Sequence, residues 1–93
     1  MRVTIRFLGQ LGQFAGVASQ VCDVDVTCSV QDLLLQLGVE RGGDFKRLLL
    51  SEGGERVHPS ILVFRGGTQV TWDRPTMLSE DDEIVLSPPI AGG

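Results

Sequence analysis

One helical stripe, set between stretches that alternate with a period of two, is the feature that most narrows what this chain can become. Val30, Leu33, Leu34 and Leu37 fall at offsets of zero, three, four and seven, which gathers them on one face of a helix. Thr27 or Ser29 can cap its start, and Gly38 supplies its stop. Before it, Val3, Ile5 and Phe7 alternate with Thr4 and Arg6, and Cys22, Val24 and Val26 alternate with Asp23 and Asp25. Each pattern reads as a strand with one buried face. The segment between them, "GQLGQFAG", reads as a glycine-bearing loop that lets the two strands pair as an elaborated hairpin.

After the helix, "RGGDFKRLLL" offers a second, shorter helix starting at Asp44, with Phe45, Leu48 and Leu49 able to face inward. "SILVF", "RGGT" and "QVTW" then read as strand, turn and returning strand. "EIVLS" forms a last strand in which Ile84 and Leu86 face one side and Val85 the other; so apolar a run suits the middle of a sheet covered on both faces. Strands first, then a helix, then strands describe an α+β chain: a mixed sheet of four to five strands packed on one main helix, the β-grasp arrangement. No internal repeat, low-complexity tract or linker divides it. Residues 1–87 are expected to form this single domain, and residues 88–93 a flexible tail.

A chain of 93 residues, 42% of them hydrophobic, can bury a modest core without metal or disulfide staples. Eight basic and twelve acidic residues leave a net charge of -4, which argues against a nucleic-acid footprint and suits a basic partner. No apolar run is long enough for a membrane span, and "MRVTIRFLGQ" lacks the pattern of a secretory signal, so the expected compartment is the cytoplasm. One histidine, His58, and two cysteines give no metal-ligand spacing. His58, before Pro59, reads as an exposed loop residue. Six extended residues separate Cys22 from Cys28 by about 20 Å, beyond disulfide reach. Cys22 reads as packing, whereas Cys28 stands near a helix start whose field can lower a thiol pKa. Glu80 to Glu83 form a solvated turn or meet a basic surface, and Trp72 with Phe64 either close the core's edge or form a docking patch.

The sequence closes on "SPPIAGG". Pro88 and Pro89 cannot donate ladder hydrogen bonds, so they end the last strand and project the tail stiffly from the domain. Ile90, Ala91, Gly92 and Gly93 then taper, and two residues without a β-carbon allow a partner to enclose the backbone closely. The reactive group such a partner would find is the α-carboxylate of Gly93.

With these residues in view, "MLSEDDEIVLSPPIAGG" resembles the end of the ubiquitin-like small sulfur-carrier family, which includes the small subunit of molybdopterin synthase and the thiamine-pathway carrier. Leu78, Asp81 to Glu83, Ile84 to Leu86, Pro88, Pro89, Gly92 and Gly93 take the family's places, and "TCSVQDLLLQL" resembles its helix. Asp81 stands where the family commonly has a glycine. The resemblance implies a carrier or cosubstrate, not an enzyme, with no cofactor and no metal of its own. A partner E1-like enzyme would adenylate Gly93, a persulfide donor would convert it to a thiocarboxylate, and the sulfur would pass to a precursor of molybdopterin, thiamine or a thiolated nucleotide. Pro88, Pro89, Ile90, Ala91 and Gly92 would bind the partner. The chain could also be the non-catalytic small subunit of a sulfurtransferase such as molybdopterin synthase, docked on a large subunit. Neither nucleic acid nor membrane is an expected partner. A second reading is a protein modifier, its Gly93 joined to target lysines, for which Lys46, the sole lysine, is the one possible branch point on the chain itself. In a third, the domain binds through its sheet and the Gly-Gly is incidental.

Overall fold

In the computed structural model, which describes residues 1–89, the last strand lies at the centre of the sheet. Five strands, β1 (Arg2–Phe7), β2 (Ser19–Asp23), β3 (Leu62–Arg65), β4 (Thr68–Gln69) and β5 (Glu83–Ser87), are ordered β2-β1-β5-β3-β4. β5 runs parallel to β1, with Ile5 opposite Ile84 and Phe7 opposite Leu86, and antiparallel to β3, with Val63 opposite Leu86. Both of its edges are therefore paired, as its apolar sequence leads one to expect. Ile84 and Leu86 are fully buried, while Val85 on the opposite face stays half-exposed. The sheet is thus covered on one face only, because the helices all pack on the side of Val3, Ile5 and Leu86.

The main helix α2 (Val30–Arg41) begins where Ser29 caps it, the hydroxyl accepting from the Asp32 amide at 3.0 Å. Val30, Leu33, Leu34 and Leu37 are buried, so the stripe read from the sequence is the face that covers the sheet. Gly38 does not stop this helix. It lies inside it, and a β-carbon there would come within 2.7 Å of Leu50 Cδ1 and 2.8 Å of its Cγ. The glycine serves close packing of α2 on α3 (Gly43–Leu49), and Gly42 ends the helix instead. In α3, Phe45 and Leu49 are buried as expected, and Leu48 is half-buried.

Three local readings are corrected. "GQLGQFAG" is not simply a loop, for Gln10–Ala15 form a short helix, α1, anchored by fully buried Leu11. Its end is tied down by Arg41, whose guanidinium donates to Ala15 O at 2.7 Å and to Gln20, and sits 5.3 and 5.4 Å from the ring centres of Phe7 and Phe45. β2 starts earlier than the alternation of Cys22, Val24 and Val26 suggests and ends at Asp23. Asp25 folds back to accept from the Thr27 amide and hydroxyl, both at 2.9 Å, and this turn leaves Val26 70% exposed. β4 is two residues long, although Val70 still donates to Val63 O at 2.7 Å. Gly66 and Gly67, both with positive φ, make the two-residue hairpin turn as read.

Gly38→Ala is expected to destabilise the protein by about 1–2 kcal/mol, since overpacking against Leu50 outweighs the gain of about 1 kcal/mol in helix propensity. Gly53→Ala, where a β-carbon would meet Glu55 at an ordinary 3.5 Å, should cost nothing measurable. Denaturant unfolding of the two variants checks the contrast.

Candidate functional site: the outlet of the central strand

The chain leaves the domain where β5 ends. The Leu8 amide donates to Leu86 O at 3.0 Å, which carries the pairing one residue past β1, and on the other side Ser87 faces Leu62 of β3. Pro88 has no amide to continue either ladder, so pairing stops there. Pro88 is half-buried and Pro89 exposed. Pro88 packs against Gly9, where an added β-carbon would lie 3.0 Å from Pro88 Cγ. The remaining expected site residues, Ile90, Ala91, Gly92 and Gly93, lie outside the described residues.

Beside this outlet, the uncovered sheet face presents Leu62, Phe64 and Val85 on the paired strands β3 and β5, and Val21 of β2 lies on the same face beyond β1, opposite Thr4. Val21 is 60% and Leu62 38% exposed. Arg6 and Glu83 cross the same face at 3.7 Å, a half-exposed pair that contributes little to stability. Trp72 packs against the buried core instead, so it closes the core's edge and does not share a patch with Phe64. The sequence pattern held the signal for this face in Val85 and Leu62, but only the strand register places them together.

The acidic turn before β5 is committed to the fold. Glu80 Oε2 accepts from the Arg2 amide at 2.6 Å, and the Asp81 amide donates to Arg2 O at 2.8 Å. Asp81 is the one described non-glycine residue with positive φ, at 64°, so aspartate adopts left-handed geometry at the position where the resemblance leads one to expect glycine. Asp82 accepts from Arg65 Nε at 2.8 Å and from the Ser79 amide at 2.7 Å. Burial of Asp82 works to raise its pKa, but the Arg65 bond, the Ser79 amide and the Arg65 charge together overcome it and hold the carboxyl below its ordinary value. This turn pins the start of β5 to β1 and β3, opposite the end that carries the prolines.

The other candidate groups stand apart from this site. Both cysteines are free. Burial, then the charges of Asp32 and Asp25, raise the Cys28 pKa, and its thiol donates to Ser29 O at 3.4 Å; the helix start does not activate it. Burial also raises Cys22, against a weaker lowering by Gln20. His58 is exposed, its Nδ1 accepting from the Ser60 amide at 3.1 Å. Lys46 is exposed on α3. No helix among the described residues is long and apolar enough to cross a membrane.

A five-stranded mixed sheet with a parallel central pair, one face under helices and the other open, defines a ubiquitin-like β-grasp protein. No family model matches the chain. It is 33% identical over 95 residues to Small archaeal modifier protein 3 of Haloferax volcanii, with all of both chains covered. Among solved structures, SAMP1 from Haloferax volcanii superposes with a TM-score of 0.86 at 26% identity, again over the whole of both chains. A putative molybdopterin converting factor, subunit 1, from Pyrococcus furiosus shares the fold, with a TM-score of 0.71 at 22% identity over 97% of this chain and 99% of that one. The chain belongs to the ubiquitin-like family of small modifiers and sulfur carriers.

A depressed carboxyl pKa contributes stability that is fully present above the unfolded value and is lost as pH falls through the folded value. Asp82→Asn should therefore cost about 1 kcal/mol near neutral pH, and the difference from the parent should shrink as pH falls below about 4. Urea unfolding of both proteins across that range measures it.

Proposed function

We propose that this protein is a sulfur carrier whose Gly93 carboxylate is activated by an E1-like enzyme. The observation that carries the reading is the outlet itself: a strand paired on both edges runs directly into Pro88 and Pro89, the start of the "PPIAGG" segment, in a chain that matches a small archaeal modifier over its full length. A free carboxylate is a poor acyl donor. Its oxygen would attack the α-phosphorus of ATP, pyrophosphate would leave, and Gly93 would carry a mixed anhydride with AMP. A persulfide sulfur would then displace AMP and, after reductive cleavage of its S–S bond by a thiol, leave a thiocarboxylate that is anionic at neutral pH.

The chain's own contribution is binding and presentation. The open face with Val21, Leu62, Phe64 and Val85 offers apolar area to the activating enzyme or to a large synthase subunit, and Pro89 to Gly92 would line the partner's channel. The acceptor we favour is a molybdopterin precursor, with thiamine precursors or thiolated nucleotides as the other members of the class. Catalytic acids, bases and metals would belong to the partner.

A second reading, attachment of Gly93 to target lysines, is favoured by the name of the relative, a modifier protein. It shares the adenylation step and differs in the attacking atom, an amine nitrogen in place of sulfur. In this reading the exposed Lys46 is the sole branch point through which copies could be linked by lysine.

Incubation with the cognate activating enzyme, ATP and a persulfide donor, with intact-mass detection of the product, tests the carrier reading. The expected product has one oxygen exchanged for sulfur at Gly93. An unchanged mass beside a demonstrably active enzyme overturns it, and Gly92-Gly93 remnants on target lysines would establish the modifier instead.

A further inference from the structure

The start of α1 touches the outlet through a single residue. Gly9 adopts φ 52° and ψ -129°, a conformation that costs an L-residue strain, and its missing β-carbon leaves the space that Pro88 occupies: the ideal position lies 3.0 Å from Pro88 Cγ and 3.8 Å from Cδ. Gly9 is held by its neighbours on both sides. On one side Leu8 is held to β5 by the hydrogen bond its amide donates to Leu86 O at 3.0 Å, and on the other Leu11 is fully buried. The far end of α1 is fixed by Arg41 through Ala15 O. A β-carbon at position 9 would therefore press on the proline ring, which must give by a few tenths of an ångström.

We infer that Gly9 is a positioning residue that sets the direction in which the chain leaves the domain, so that Gly93 reaches the adenylating centre of its partner. The inference rests on the adenylation proposed above. Six residues from Pro88 to Gly93 span at most about 20 Å when extended. An added β-carbon would push Pro88 by a few tenths of an ångström, when misplacement of a reacting group by about 1 Å can cost about a hundredfold in rate. Docking through the open sheet face would be untouched, so the loss should fall on kcat and not on KM.

The experiment is a double-mutant cycle read by ATP–pyrophosphate exchange with the cognate activating enzyme. Gly9→Ala is expected to lower kcat about tenfold or more with KM unchanged, and Pro88→Ala about threefold. The double variant should lose less than the product of the two single losses, because the atom that clashes is gone and only the backbone strain at position 9 remains. Multiplicative losses, a loss confined to KM, or no loss in Gly9→Ala would overturn the inference. Should Gly9→Ala fail to fold, Pro88→Ala leaves Gly9 unstrained and probes the same contact; unchanged kcat there would be equally contradictory. A nuclear Overhauser contact between Gly9 Hα and Pro88 Hγ is expected in the unmodified protein without any enzyme, and its absence overturns the positioning role. Failure of the unmodified protein to support exchange would instead sink the adenylation reading.

Discussion

The pairing of β5 with β1 and β3 at once is the constraint on which the rest of this molecule depends. It brings the first and last strands side by side in parallel and satisfies the backbone of β5 on both edges. Ile84 and Leu86 are fully buried as a result, each side chain contributing about 1.5–3 kcal/mol against water. A strand so placed cannot slip by one residue without turning both into solvent and Val85 into the core. The register is held from below by Glu80, Asp81 and Asp82 against Arg2 and Arg65, and it is ended above by Pro88.

The proposed function rests on that placement. The outlet lies between two neighbours that fix it, whereas an edge strand would have had one. The helices cover one face of the sheet and leave the other, with its apolar side chains, beside the outlet. On the proposed reading a partner would hold the domain by this surface while working on Gly93, a division of labour that needs no catalytic group on the domain itself. The thiols fit this division, since burial raises both and the sulfur chemistry is proposed for Gly93 alone.

Much of this was legible in the residues. β1, the stripe of α2 and β5 announce themselves because each has a period that matches its buried face, and the central place of β5 agrees with an apolar run that has one proline pair behind it. The failures share a cause: they concern residues whose role is set by distant partners. Gly38 looks like a helix stop until Leu50 is found packed on it. α1 has one buried residue, Leu11, and three glycines in or beside it, so neither period nor composition marks a helix; contacts to Arg41 and β1 make it one. Val26 continues an alternation that a local turn at Asp25 cancels. For the candidate site, the prolines that end β5 were readable, while the contact of Gly9 with Pro88 and the open face were not, because register and loop geometry bring them to the outlet.

The central claim is that the domain holds itself together up to Ser87 and that Gly92 and Gly93 serve only the partner. Removing those two glycines tests it most directly. The account predicts an unfolding midpoint indistinguishable from that of the whole chain, together with complete loss of pyrophosphate release by an activating enzyme that accepts the whole chain. Unfolding of the shortened protein, or its continued activation, would contradict the account.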